Sequence, residues 1–344
     1  MKVEFKDGKI IAKGQYFEKA EYDMASDLAS VVADGCGGLS SYRVANVAGN
    51  FIPTFLSLDL SVCGEPLSPY LPKSVEMVGR TQRVTLQTAS GDLSITTFLA
   101  ESVNGAFIRI EGDFSYDLSV NYRGDKAKSA VGVTYVEGSS FRLSSSVAGE
   151  WVEENDAFYL SATGRVDLLI SFASTTEDHE VAFATFAEHY AATLAEIREV
   201  VIPDTAETEE ERALYLSAYF TALENHKKVG EFNAFAAGVN YMHPLRTYFR
   251  DSYFTVLPLL HSRHDLVREE ILTLARGILE DGTCPSAVKS DFTGFWGDHY
   301  DSPAFFVMEV YDYYVATSDS TILSQRIEGR TILEIIDQIG RAHV

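Results

Sequence analysis

The chain has 344 residues, 46% of them apolar and 12% aromatic, with a formal net charge of −22. That is ample material for a packed core, and the length suggests two domains of ordinary size. The acidity, unbroken by any Lys/Arg cluster, would repel a polyanion and sets nucleic-acid binding aside.

From Val3 to about Phe172 the pattern is strand-like. "RVTLQT" (Arg83 to Thr88) alternates, "ASGD" turns and "LSITTFLA" returns, which predicts a β-hairpin with a four-residue connection. "GAFIRIEGDF", "LSVNY", "VGVTYVEG", "SFRLSSS" and "DAFYLSATG" continue the theme, each short and bounded by Gly, Asn, Asp or Ser. Such regular spacing predicts a large antiparallel β-sandwich over 1–176. The glycines of "GCGG" (Gly35 to Gly38) read as a tight turn, since no helix follows to make a phosphate cradle.

Near Glu177 the period changes to three or four. The stretch 177–206 reads as a helical linker, with Asp204 or Thr205 as a possible cap for the helix that follows. From Glu207 onward the pattern is helical: "EEERALYLSAYFTALENHKKVG", then about Asp251 to Ser262, Asp265 to Glu280, Pro303 to Thr317 and Thr321 to Asp337. An all-helical second half of helical hairpins is expected over 207–338, interrupted by long loops at Gly230 to Arg250 and Gly282 to Tyr300. Loops of that length inside a compact domain are usually functional. The last six residues, "IGRAHV", are what a common short-read sequencing adapter encodes, so 339–344 is expected to be an adapter-derived tail on a front fragment of a longer protein.

Several function classes drop out along the way. The N-terminus lacks the apolar region of a secretory signal, and no run of about 18 apolar residues is present to span a membrane. The odd, scattered set Cys36, Cys63 and Cys284 fits a reducing, cytoplasmic compartment. No CxxC, HExxH or P-loop pattern occurs, and His261 and His264 in "HSRH" read as a helix start. No metal or cofactor is expected.

The most informative stretch is "TYFRDSYFTVLPLL", with Arg250 and Asp251 side by side at a helix start. It is followed by "LARGILEDGTCPSAV" and then by "GDHYDSPAFFVMEVYDYYVATSD". In order and spacing this set, over about 110 residues, resembles the six-hairpin glycosidases. Within them it is most similar to glycogen debranching enzymes of the amylo-α-1,6-glucosidase type, with glucoamylases nearby. Tyr248 stands where that signature commonly has Trp. The resemblance implies an α+β multidomain chain, with the sandwich followed by the first part of an (α/α)6 toroid. It also implies a carbohydrate substrate, an α-glucan or oligosaccharide, cleaved by inversion without a cofactor.

The resemblance places Arg250 and Asp251 at the sugar of the cleavage subsite, with Asp301 as a further sugar contact. The chemistry agrees, because an arginine keeps a neighbouring carboxylate ionised and a strong acceptor. Read from the residues alone, Asp251 and Asp301 could equally be helix caps, and Asp301 with Pro303 has the form of a helix start. Trp296, in "TGFWGDHY" beside Asp298 and His299, and Tyr248 and Phe249 are either a stacking wall or a lid packed on the core. Tyr311, Tyr313 and Tyr314 are expected in the core, and Glu309 and Asp312 on an exposed helix face. Inverting hydrolysis needs two carboxyl groups roughly 6.5–9.5 Å apart, and the resemblance places both beyond Gln338, so neither is assigned here. The alternatives are another six-hairpin activity, a disaccharide phosphorylase or a trehalase-like hydrolase, and a noncatalytic carbohydrate-binding protein.

Overall fold

The computed structural model describes 2–342 except 14–20, 27, 36–37, 46–50, 55, 63–64, 67–71, 102, 123–127, 131–132, 137–138, 148–151, 155–156, 173–174 and 239–243. Cys36 and Cys63, the centre of the "GCGG" turn and the last two residues of the expected tail lie outside the described residues. The chain divides into two compact units, Met1–Ala45, Ile52–Val200 and Ala206–Ser217 against Asn46–Phe51, Val201–Thr205 and Ala218–Val344.

The first unit is built on one continuous antiparallel sheet rather than two separately hydrogen-bonded ones. Its spine is a pair of long strands, Gly105–Tyr122 and Ala157–Phe172, whose register shifts between Gly112 and Ser115. Before the shift the first of them pairs with Gly91–Leu99, and after it with Leu56–Val62. A bulge in a long strand lets one strand serve two arms of a sheet. The predicted hairpin is present as Thr81–Thr88 with Gly91–Leu99. Thr88 pairs directly with Gly91, so its connection is two residues, Ala89 and Ser90, not four. Gly91 sits at φ 138, which its missing Cβ allows.

Alternation along these strands sorts the side chains into two layers. Val84, Leu86, Leu93, Ile95, Ile108, Val166 and Leu168 join Met24, Val31 and Leu39 in one buried cluster. On the other face Phe98, Phe107 and Leu169 meet two helices, α1 (Thr176–Ala184) and α2 (Phe186–Glu199). Phe98 and Phe107 stack with ring centroids 4.8 Å apart, and Phe186 meets Phe107 edge-on at 5.3 Å. Fully burying a phenylalanine contributes about 1.5–3 kcal/mol. Arg109, paired with Asp167 at 2.7 Å, lies over the rings of Phe186 and Tyr190 and holds α2 down.

The next helix, α3 (Glu209–Asn225), starts later than Asp204 or Thr205 would allow. Thr208 Oγ1 accepts from the Glu211 amide and Glu211 Oε2 accepts from the Thr208 amide, a reciprocal capping box that outcompetes a lone Asp.

The second unit is not all-helical. After the end of α3, its α-helices among the described residues are α4 (Phe249–Val256), α5 (His264–Arg276), α6 (Ser302–Thr317), α7 (Thr321–Ser324) and α8 (Ile332–Ala342). His226–Val229 and Phe232–Phe235 form a hairpin, and Arg246–Tyr248, Ala287–Lys289 and Gly294–Phe295 form a three-stranded sheet. The helix expected over Thr321 to Asp337 is split by a second hairpin, Arg326–Ile327 with Arg330–Thr331. Glu328 and Gly329, at φ 49 and 90, make the tight turn that a helix cannot contain. Both long loops thus contain short strands among their described residues. The end of α5 also packs tightly on the small sheet, for a Cβ at Gly277 would lie 2.2 Å from Val288 Cγ2. Among the described residues no helix is long and apolar enough to cross a membrane.

In the first unit His179, on α1, is clamped between two serines, Ser144 Oγ at 2.8 Å from Nε2 and Ser171 Oγ at 2.6 Å from Nδ1. Burial, then the charge of Arg142, lowers its pKa to about 4 from 6.5. The folded state thus keeps the ring neutral where the unfolded chain takes up a proton. Its stabilisation is present above about pH 6.5 and is lost as pH falls toward about 4. Denaturant unfolding of the first unit should therefore lose about 2 kcal/mol between pH 7 and pH 5. His179→Gln should flatten that slope relative to the wild type.

Candidate functional site

The second unit brings the starts of two helices together. Arg250 and Asp251 lie in the first turn of α4, and Asp301 is the residue before α6. Arg250 NH1 and Asp301 Oδ2 are 3.2 Å apart, and both side chains are partly exposed. The other oxygen of Asp301 accepts from His299 Nδ1 at 2.5 Å. The result is a chain of guanidinium, carboxylate and imidazole across the open face.

Neither aspartate acts as a helix cap. The α4 cap position is Tyr248, with no side-chain cap bond, and Asp251 lies three residues further in. Asp301 occupies the α6 cap position but makes no side-chain cap bond; its carboxylate faces His299 and Arg250 instead. Pro303 sits in the first turn of α6, where its missing N–H is not needed. Asp251 is half-buried, and its carboxylate has no hydrogen-bond partner among the described residues. It lies in the positive field of a helix N-terminus, which favours a negative charge there.

An aromatic wall is held by the small sheet, whose strand Arg246–Tyr248 ends two residues before Arg250. Tyr248 and Trp296 have ring centroids 6.1 Å apart, and Phe295 lies 4.8 Å from Trp296. Trp296 is 67% exposed and held at φ 53, a costly conformation for a bulky residue. Arg246 is buried, stacks over Phe295 at 4.6 Å and donates Nε–H to the Tyr248 hydroxyl at 2.7 Å. It thus braces the two rings against which the exposed Trp296 packs, and an exposed indole so held is suited to a flat apolar face. Phe249, by contrast, is fully buried against Phe306.

The helix carboxylates differ from expectation. Asp312 accepts from the Tyr253 hydroxyl at 2.9 Å, but Glu309 is only 1% exposed and belongs to the core, not to a solvated face. Its Oε2 lies 3.1 Å from Ser252 Oγ. Glu270 on α5 is fully buried as well, bound by Thr247 Oγ1 and the Phe235 amide. Burial raises both carboxyls, and Glu270 raises Glu309 further by its charge. At such burial neither reaches a ligand. The signal for Glu309 was its register: Ser302, Phe306, Glu309, Val310 and Tyr313 form one buried helical stripe. The same arithmetic puts Glu270 among Leu266, Val267, Ile271 and Leu274. Of the three tyrosines only Tyr313 is core; Tyr311 is 64% exposed and Tyr314 43%. His264 carries the start of α5, its ring bound to the Leu260 carbonyl at 2.7 Å. Among the described residues no group of His, Cys, Asp and Glu is arranged to hold a metal.

No family model and no curated protein matches the chain by sequence. Its fold does have solved counterparts. It superimposes on a bacterial glucoamylase in complex with acarbose with TM-score 0.57 at 10% identity, covering 95% of this chain and 63% of that one. A protein assigned as a kojibiose phosphorylase, from the human microbiome, gives TM-score 0.49 at 8% identity over 99% of this chain and 58% of that one. A family GH92 α-mannosidase from Bacteroides thetaiotaomicron gives 0.33 at 10% over 97% and 53%. The glucoamylase match shows a glycosidase-like fold of large antiparallel sheet plus helices. The chain spans less than two thirds of the length of each of these proteins.

The Arg246–Tyr248 bond is a measurable prop of the aromatic wall. A double-mutant cycle of Arg246→Met and Tyr248→Phe, read by urea unfolding, should return a coupling of about 1 kcal/mol or more. Additive single effects would show that Arg246 supports the wall through packing alone.

Proposed function

We propose that the second unit carries the sugar-binding subsite of a glycoside hydrolase acting on α-glucosidic bonds. Arg250, Asp251 and Asp301 are its polar groups, and Trp296 and Tyr248 its wall. The observation that supports this most is the meeting of Arg250 with Asp301, from helix starts 51 residues apart, with Asp251 next to Arg250 in sequence and Trp296 exposed. A sugar ring needs ionised acceptors for its hydroxyls, a guanidinium to donate to its oxygens, and an aromatic face for its C–H side. The sequence resemblance to glycogen debranching enzymes and glucoamylases points the same way, as does a fold shared with a glucoamylase.

In this reading the protein is an inverting enzyme of the cytoplasm that needs no cofactor. The residues named here bind the sugar and do not transfer protons. Two further carboxyls act as general acid and general base, separated widely enough to admit the attacking water. Glu270 and Glu309 are too deeply buried for either role.

A second reading, a phosphorylase of disaccharides on the same scaffold, differs only in the nucleophile. It would release a sugar phosphate from substrate plus inorganic phosphate, where the hydrolase releases free glucose without phosphate. A noncatalytic carbohydrate binder would do neither.

The test is calorimetric titration of the intact chain with maltose and with acarbose. Asp251→Asn should weaken binding by about 10–100-fold, the loss of a charged hydrogen bond worth about 1.5–3 kcal/mol. Its urea midpoint should stay near that of the wild type, because the carboxylate bonds to no other group among the described residues. Unchanged affinity in Asp251→Asn would remove Asp251 from the site.

A further inference from the structure

Glu270 and Glu309 lie inside the second unit, unused by the proposed site. Their hydrogen-bond surroundings differ. Glu270 Oε1 accepts from Thr247 Oγ1 at 2.5 Å and its Oε2 from the Phe235 amide at 2.7 Å. Both oxygens receive a hydrogen, which suits a carboxylate. Among the described residues Glu309 has one hydrogen-bond partner, Ser252 Oγ at 3.1 Å from Oε2, and its Oε1 has none. The Ser252 hydroxyl carries one hydrogen, yet the Phe249 carbonyl also lies 3.1 Å from it, and Glu270 draws on the same hydroxyl. If Glu309 were ionised, three acceptors would compete for that hydrogen and a buried charge would be left nearly bare. A proton on Glu309 takes it out of that competition. Its O–H then donates to Ser252 Oγ, and Ser252 donates to the Phe249 carbonyl.

We propose that Glu309 is held as a neutral carboxylic acid donating to Ser252 Oγ, with Glu270 the ionised member of the pair, and that this bond positions the Arg250–Asp251 turn of α4 on α6. Ser252 follows Asp251 directly, so the bond fixes the turn in which Arg250 meets Asp301. The consequence for ligand binding rests on the sugar-site reading; the protonation state does not.

The charged groups on the packed elements are engaged elsewhere. On the strand Arg246–Tyr248, Arg246 binds Tyr248 and the Pro244 carbonyl. On α5, Arg268 donates to Gln325 and Arg276 pairs with Glu231, while Glu269 is turned about 100° from Glu270. On α4 the Tyr253 hydroxyl donates to Asp312 of α6, and on α6 the Tyr313 hydroxyl donates to Asp319. Lys289, on the strand Ala287–Lys289, acts on Asp291, and Arg326 binds the Gly329 carbonyl. Lys227, beside the Phe232–Phe235 strand, donates to the Glu224 and His226 carbonyls. Among these described groups only Glu270 acts on Glu309 by charge, and burial followed by that charge raises Glu309 well above an ordinary carboxyl. A folded carboxyl raised in this way contributes stability at low pH that is lost as pH rises through its folded value.

Infrared spectroscopy of the intact chain in D2O at neutral pH tests the protonation state. The wild type should show the carbonyl stretch of a protonated carboxylic acid, and Glu309→Gln should lack it. Glu309→Gln should also unfold near the wild-type urea midpoint, because its amide N–H still donates to Ser252. Glu270→Gln should unfold far earlier, because an amide nitrogen then faces a donor. Absence of the band in the wild type, or equal damage from the two variants, overturns the proposal. Amide exchange in 249–252 tests the positioning. It should rise with pH more steeply in the wild type than in Glu309→Gln, and identical slopes overturn that half. Failure of maltose to bind the wild type would count against the sugar-site reading alone.

Discussion

A carboxylate shut inside a helical core has to be given hydrogens by its surroundings, and that requirement organises the second unit. Glu270 draws one from the amide of Phe235 and one from the hydroxyl of Thr247. These donors come from the first hairpin and from the strand that ends in Tyr248. α5 is thereby tied to both irregular segments that precede α4. Ser252 and Glu309 add a tie between α4 and α6. Breaking one partner of such a buried network costs more than the network contributes over an apolar core. Its value lies in fixing which elements meet, and here it fixes the helix starts that carry Arg250 and Asp301.

The sheet and its hairpins were legible because alternation over eight residues, as in Thr81–Thr88, leaves one solution for a half-buried strand. The helix starts at Arg250 and Asp301 were legible too, since Pro303 and the apolar runs mark them. The small sheet was not. Its strands are two or three residues long, too short for any periodicity to register. What holds them is tertiary: the close approach of Val288 to Gly277 and the stacking of Arg246 on Phe295. The pairing of Arg250 with Asp301 was equally hidden, because nothing in either segment specifies a partner so far along the chain. His299 was visible only as a neighbour of Trp296, for the same reason: its bond depends on the side-chain position of Asp301.

The misplacement of Glu309 has a different cause. A charged residue on a helix is usually solvated, and its i+3 neighbour Asp312 encourages that view. The stripe of Phe306, Val310 and Tyr313 argues for the opposite face, and the stripe wins. Burial of an ionisable group becomes tolerable once the group can shed its charge, which a glutamate does more readily than a lysine or arginine stripe member could. The outer face of the same helix keeps Met308, Tyr311, Tyr314 and Val315 exposed. An apolar residue type therefore said less about burial on α6 than the register did.

The charge pattern of the open face bears on what could sit there. In a chain of net charge −22, Arg250 is an exposed cation already bound by Asp301, which is itself bound by His299. An anionic ligand would have to displace Asp301 and would meet the repulsion of Asp251, next to Arg250 in sequence. A neutral polyhydroxy compound meets no such conflict. Its hydroxyls can donate to Asp251 and accept from Arg250 while the ion pair stays intact. Each such bond to a charged group, exchanged for water, contributes about 1.5–3 kcal/mol, and the Trp296 face would add apolar contact to the ring. Under the sugar reading the ion chain thus gives both affinity and orientation, and the wall covers the C–H side. That use fits Trp296 being kept exposed in a strained backbone conformation, packed on Tyr248 and Phe295, rather than packed away.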